Sequence, residues 1–155
     1  MELLLDGRSV ARGGVKDYRT ELEVVYRPGK LTAVSRRAGV ELGRTSLCTT
    51  GPAQALRVTA EPSYGGEFRF LRIEAVDGQG RVVPDFAQRV RVQVQGAALA
   101  ALGGADPRSD TNYTRGEAAA DRGRLLLVVR KKGRGTVRVC CEGGGLHAQA
   151  ELELD

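Results

Sequence analysis

Nearly every apolar run in this chain alternates with polar residues at period two, and nearly every run ends in a glycine or proline turn. Leu146, Ala148, Ala150, Leu152 and Leu154 show it most cleanly, with His147, Gln149, Glu151 and Glu153 between them. Successive side chains of a strand point to opposite faces, so this spacing marks half-buried antiparallel strands. Glycine supplies the punctuation: 21 of the 155 residues are glycine, most of them between apolar runs, where they permit tight turns.

Before Thr50 the pattern predicts about four strands joined by hairpins. Leu3 and Leu5 alternate, and Asp6-Gly7-Arg8 turns the chain. Leu22, Val24 and Tyr26 alternate, and Arg27-Pro28-Gly29 turns it again. Leu31 and Ala33 continue to the turn at Arg37-Ala38-Gly39, and Val40 to Thr49 forms a further strand. Gly51-Pro52 is the expected domain boundary, because proline cannot donate to a sheet ladder and glycine permits a sharp change of direction. Beyond it, Ala55 to Ala60, Phe70 to Asp77, Val90 to Val94, Leu125 to Val129, Thr136 to Cys141 and Leu146 to Leu154 read as strands. Turns every eight to twelve residues over such a length are the pattern of an immunoglobulin-like sandwich. Ala97 to Leu102 is alanine-rich and is expected to form a helical turn, and Asp106 to Ala120 is expected to be a long polar loop. The fold expected is all-β: two tandem immunoglobulin-like β-sandwich units, residues 1–51 and 52–155, the first missing a strand.

The residues offer little chemistry. The single histidine, His147, lies in an alternating strand, and no GxSxG motif sets a serine beside a base. The 19 acidic residues mostly flank turns or alternate on solvent faces, so no pair is singled out for glycosidic cleavage. Cys140 and Cys141 are adjacent, Cys48 lies far from both, and no CxxC spacing occurs. Metal and cofactor sites are therefore not expected, and the thiols read as reduced and mostly buried, which fits a cytoplasmic protein without establishing one. Gly103-Gly104-Ala105-Asp106-Pro107 lacks the lysine and hydroxyl of a phosphate loop. No run approaches the roughly 20 apolar residues of a membrane helix, and Leu3-Leu4-Leu5 between Glu2 and Asp6 is no signal core. Net charge is +5, but the arginines are scattered, and the dense run Arg130-Lys131-Lys132-Gly133-Arg134 reads as a hairpin tip rather than a nucleic-acid patch. Tryptophan is absent. Of Tyr18, Tyr26, Tyr64 and Tyr113, Tyr113 is the candidate contact for a ligand or a neighbouring domain, with Asn112 and Arg115 beside it in the polar loop.

Two stretches resemble known domains. Glu2 to Ser9 is similar to the V-E-L-F-L-N-G-K-S strand and turn of the accessory β-domain that follows the catalytic barrel in bacterial β-galactosidases of glycoside hydrolase family 2. Val25 to Val34 resembles that domain's V-Y-x-P-G-x-L-x-A-V hairpin, and Thr49 to Ala53 resembles its exit. Ile73 to Pro84 resembles the V-x-V-x-D-x-x-G-x-x-V-P element of the immunoglobulin-like domain at the end of such enzymes. Gly103 to Ser109 and Leu125 to Arg130 resemble its next turn and strand. The resemblance implies a parent whose catalytic glutamates lie in the upstream barrel, with no counterpart here. The accessory domain begins with a strand that has no match before Glu2, which implies an incomplete edge and a truncated piece. The partners implied are the barrel and other domains of the same chain, with a homo-oligomer through the parent left open. Two rivals remain: a binding or adhesion module of a bacterial surface protein, and, from charge alone, a nucleic-acid binder.

Overall fold

The structure is a computed structural model that describes residues 1–62, 66–133 and 135–154. Tyr64 and Arg134 lie outside the described residues. Among the described residues there are twelve strands and no helix. The chain divides into two compact units, Met1–Thr49 and Thr50–Asp155.

The first unit is one antiparallel sheet in the order β2-β1-β3-β4, from β1 (Glu2–Leu5), β2 (Arg8–Arg12), β3 (Lys30–Arg37) and β4 (Val40–Cys48). Its tight connections are two-residue turns, Asp6-Gly7 and Ala38-Gly39, whose central residues all have positive φ. That primed geometry matches the twist of the strands it joins. One face of the sheet is held by charge. Glu2 receives Arg12 at 2.6 Å and Arg36 at 2.5 Å, and Val34, opposite Glu2 in register, is fully buried. Hydrogen bonds from Ser9, Arg12 and Arg36 outweigh the cost of burial and hold the Glu2 carboxyl at about 2. The other face carries Leu3, Leu5, Leu31 and Ala33, all half-buried. In β4, Ser35 pairs with Gly43 but Arg36 pairs with Glu41, so Leu42 is an extra residue, a bulge. The bulge brings Glu41 and Arg44 to the same face, where they form a two-pronged ion pair.

The expected strand through Leu22, Val24 and Tyr26 is not formed. The Asp6-Gly7 turn delivers Arg8–Arg12 directly back along β1, so these mostly polar residues form the edge strand of the sheet. Positive φ at Asp17 and Tyr18 then redirects the chain, and Val25 and Tyr26 are 83% and 75% exposed.

The second unit has two four-stranded antiparallel sheets. One runs β5-β6-β10-β8, from β5 (Ala55–Ala60), β6 (Phe68–Val76), β10 (Arg124–Lys131) and β8 (Ala97–Gly103). The other runs β12-β11-β7-β9, from β12 (Leu146–Leu154), β11 (Gly135–Gly143), β7 (Arg89–Gln95) and β9 (Glu117–Ala119). Leu71, Ile73, Leu102, Leu127 and Val129 of the first sheet share one core with Val90, Val92, Val137, Val139 and Cys141 of the second. The all-β reading holds, with the sandwich built as the alternation requires.

Two expectations for this unit are corrected. Ala97 to Leu102 is strand β8 and not a helical turn. A bulge at Ala100 lets Ala97 and Leu102 both face the core, which breaks the period-two signal at that point. The loop over 106–120 also holds a short strand, β9, whose Ala118 is fully buried. The thiols divide as well: Cys141 is buried, Cys140 lies on the opposite face, and Cys48 is exposed rather than buried.

Candidate functional site

The two sandwich sheets turn very different outer faces to solvent. On the β12-β11-β7-β9 sheet the outward positions are Arg89, Arg91, Gln93 and Gln95 of β7, Thr136, Arg138, Cys140 and Glu142 of β11, and His147, Gln149, Glu151 and Glu153 of β12. Cross-strand pairs satisfy many of these groups: Arg138 donates to Glu151 at 2.7 Å, Thr136 to Glu153 at 2.6 Å, and Arg91 to Glu117 at 3.1 Å. His147 stands opposite Glu142 and lines an open recess of about 500 Å³ with Arg89, Arg91, Glu117 and Leu146. Among the described residues no three metal-ligating side chains come together.

The outer face of the β5-β6-β10-β8 sheet is apolar at its centre. Strand alternation buries Leu71, Ile73, Leu125, Leu127 and Val129, and therefore turns Phe68, Phe70, Leu126 and Val128 outward. Phe70 pairs with Val128, and Leu126 pairs with Arg72 on one side and Gly103 on the other. Phe70 is 43% exposed and Leu126 is 44% exposed.

Tyr113 extends this patch. A Cβ at Gly103 would lie 2.5 Å from the Tyr113 ring, so the ring covers the glycine backbone and stands beside Leu126. Only glycine leaves that space. The Leu102 N–H donates to the Tyr113 carbonyl at 2.7 Å, which ties the loop to the end of β8. Asn112 is used locally: its Oδ1 accepts from the Thr114 N–H at 3.0 Å and hydroxyl at 2.8 Å, and its carbonyl accepts from the Arg115 N–H. Tyr113 remains 47% exposed. The structure thus places Tyr113 on the sheet face, gives Asn112 a turn-forming role, and leaves Arg115 exposed at the loop's edge.

Arginines border the patch. Glu74 is nearly inaccessible, between Arg57 at 2.6 Å and Arg124 at 3.3 Å. Burial pushes its carboxyl up, but the two guanidiniums prevail and hold it below the ordinary value. Arg72 pairs with Glu61 at 2.9 Å, and Arg130 lies over the Phe68 ring, 5.7 Å from its centroid.

The loop after β6 is organised by buried Asp77. Its carboxylate accepts from the N–H groups of Gln79 and Arg81 at 3.0 Å, from Gly51 N–H at 3.1 Å, and from Arg81 Nε at 2.8 Å. Burial opposes the charge, yet these donors hold its carboxyl well below the usual range. The D-x-x-G spacing is therefore a structural device that fastens the loop and the lead-in to β5.

Residues 59–151 match the family described as glycoside hydrolase family 2 C-terminal domain 5. The chain belongs to this family. Residues 1–43 match DUF4982, a domain of unknown function. Over 99% of its length the chain is 26% identical to β-galactosidase BoGH2A of Bacteroides ovatus and covers 19% of it. A glycosyl hydrolase family 2 member from Bacteroides cellulosilyticus, at 26% identity, superposes on 98% of the chain with a TM-score of 0.90, and 21% of that protein is covered. A β-glucuronidase of family 2, at 19% identity and a TM-score of 0.80, shares the fold and is covered to 17%. This family 2 C-terminal region thus spans about a fifth of the length of the relatives it matches.

In the family 2 C-terminal region the sequence singles out Tyr113 but not Phe70 or Leu126. Both sit at outward positions of well-formed strands, where the alternation calls for polar residues. That violation of the pattern is the signal a reading for function can use.

Proposed function

We propose that this chain is the non-catalytic C-terminal β-sandwich region of a longer β-galactosidase-like glycoside hydrolase, and that it acts by domain packing and stability. Residues 1–51 form an immunoglobulin-like accessory domain, and residues 52–155 form the terminal immunoglobulin-like sandwich. The partners are the catalytic barrel and other domains of the same polypeptide. In an oligomeric parent a neighbouring subunit is a further partner, and neither nucleic acid nor membrane takes part. The parent hydrolyses terminal β-galactosides or related glycosides.

One observation carries this reading. Relatives about five times as long match 98–99% of the chain at 26% identity, and one of them is a β-galactosidase. The test compares three proteins on a chromogenic β-galactoside: the chain alone, the longer polypeptide, and the longer polypeptide lacking these residues. The reading expects no turnover by the chain alone. It expects activity in the longer protein, and a lower melting temperature once the segment is removed. Turnover by the chain alone, or a longer polypeptide without glycosidase activity, would overturn it.

A further inference from the structure

We infer that the outer face of the β5-β6-β10-β8 sheet is a docking surface for another domain of the same polypeptide, one with an apolar centre and a carboxylate-rich margin. The inference rests on the packing role proposed above and names the face and the chemistry that carry it out.

The sandwich contains its own control. Its two outer faces have four strands each and belong to one fold. The β12-β11-β7-β9 face presents ion pairs and amides, as a solvated face should. The opposite face presents Phe70, Leu126, Val128 and Tyr113 together, and contiguous apolar surface of this kind marks an interaction site. Tyrosine, phenylalanine and arginine are also the residues enriched in interface cores.

The margin selects the occupant. Arg57, Arg72, Arg124 and Arg130 lie on this face against the carboxylates of Glu61 and Glu74, and Glu74 is buried between two of those arginines. The surface therefore shows excess positive charge, which attracts carboxylates and repels a second copy of itself. A saccharide fits less well. Phe70, Leu126 and Val128, at the centre of the face, offer no hydrogen-bonding group to sugar hydroxyls. The length of the relatives supplies the source, because four-fifths of such a chain lies outside the matched segment.

The experiment is hydroxyl-radical footprinting read by mass spectrometry, on the 155-residue chain and on the longer polypeptide. Oxidation of Phe70, Leu126 and Tyr113 is expected to fall several-fold in the longer polypeptide, with His147 unchanged. Arg130→Glu in the longer polypeptide is expected to restore much of that oxidation. Phe70, Leu126 and Tyr113 staying fully reactive would overturn the inference, as would protection of His147 in their place. So would protection arising from dimers of the 155-residue chain, or from added galacto-oligosaccharide. The packing role is judged separately. Should deletion of residues 52–155 leave the longer protein's melting temperature unchanged, that reading fails. Should deletion lower it while Phe70 stays reactive, only the present inference fails.

Discussion

Leu126 and Leu127 are adjacent in β10, and the sandwich gives them opposite fates. Leu127 is fully buried, opposite Leu71 and Leu102 in register, while Leu126 is 44% exposed on the outer face. Replacing each by alanine is therefore a matched experiment. The chemical change is the same, and the strand preference and the effect on the unfolded chain nearly cancel. Leu127→Ala removes side-chain carbons from a closed core and leaves a cavity, which costs about 3 kcal/mol. Leu126→Ala forfeits only the part of the side chain already out of water and opens to solvent, so about 1 kcal/mol is lost. For a unit of roughly this size those losses lower the melting temperature by roughly 10–20 °C and roughly 5 °C. The chain has no tryptophan, so far-ultraviolet circular dichroism during urea unfolding is the suitable assay, with an unchanged m-value confirming that only stability has moved. Equal losses at the two positions, or a larger loss at Leu126, would refute the assignment of inner and outer faces.

Other consequences follow from particular residues. Glu2 has a folded-state carboxyl held at about 2 against an ordinary 4.5, so the stability it contributes is complete above the ordinary value and is lost as pH falls from 4.5 towards 2. Calorimetry should show the first unit's melting temperature declining over that window, and Glu2→Gln should flatten the decline. Gly96 has a φ of +83°, and a Cβ there would lie 2.3 Å from the Thr136 carbonyl. Gly96→Ala should cost more than about 1 kcal/mol in denaturant unfolding, whereas Gly14→Ala, with open space around it, should stay within about 0.5 kcal/mol. Burial pushes the Cys141 thiol up to about 11, whereas Cys48 is exposed. Iodoacetamide should label Cys48 first and Cys141 last, as read by peptide mass spectrometry.

The fold was legible wherever side-chain spacing and strand geometry keep step. Ala55 to Ala60 and Leu146 to Leu154 alternate without interruption, and both are strands. Legibility failed where the backbone inserts a residue. At Ala100 the bulge shifts the pattern by one, so an alanine-rich strand loses its period. It failed again where a turn outranks side-chain pattern: Asp6-Gly7 sets β2 to be Arg8–Arg12 however polar those residues are, and Leu22 to Tyr26 is left without a ladder. The proposed docking surface was only partly visible. Tyr113 stood out as an aromatic in a polar loop, but its place over Gly103 depends on a loop returning to the end of β8. Phe70 and Leu126 looked like ordinary apolar strand residues until the register assigned them to the solvent side.

The extra residue in β4 bears on how the protein behaves at high concentration. β4 is an edge strand with Val40, Leu42 and Leu47 well exposed, a composition that invites another chain to add on and seed a fibril. Leu42 puts the strand's hydrogen-bonding groups out of step with any straight incoming strand, and the Glu41–Arg44 ion pair stands beside the break. The bulge thus acts as a gatekeeper against self-templating. Deleting Leu42 would restore an even ladder and turn the same exposed aliphatics into a growth point for cross-β assembly.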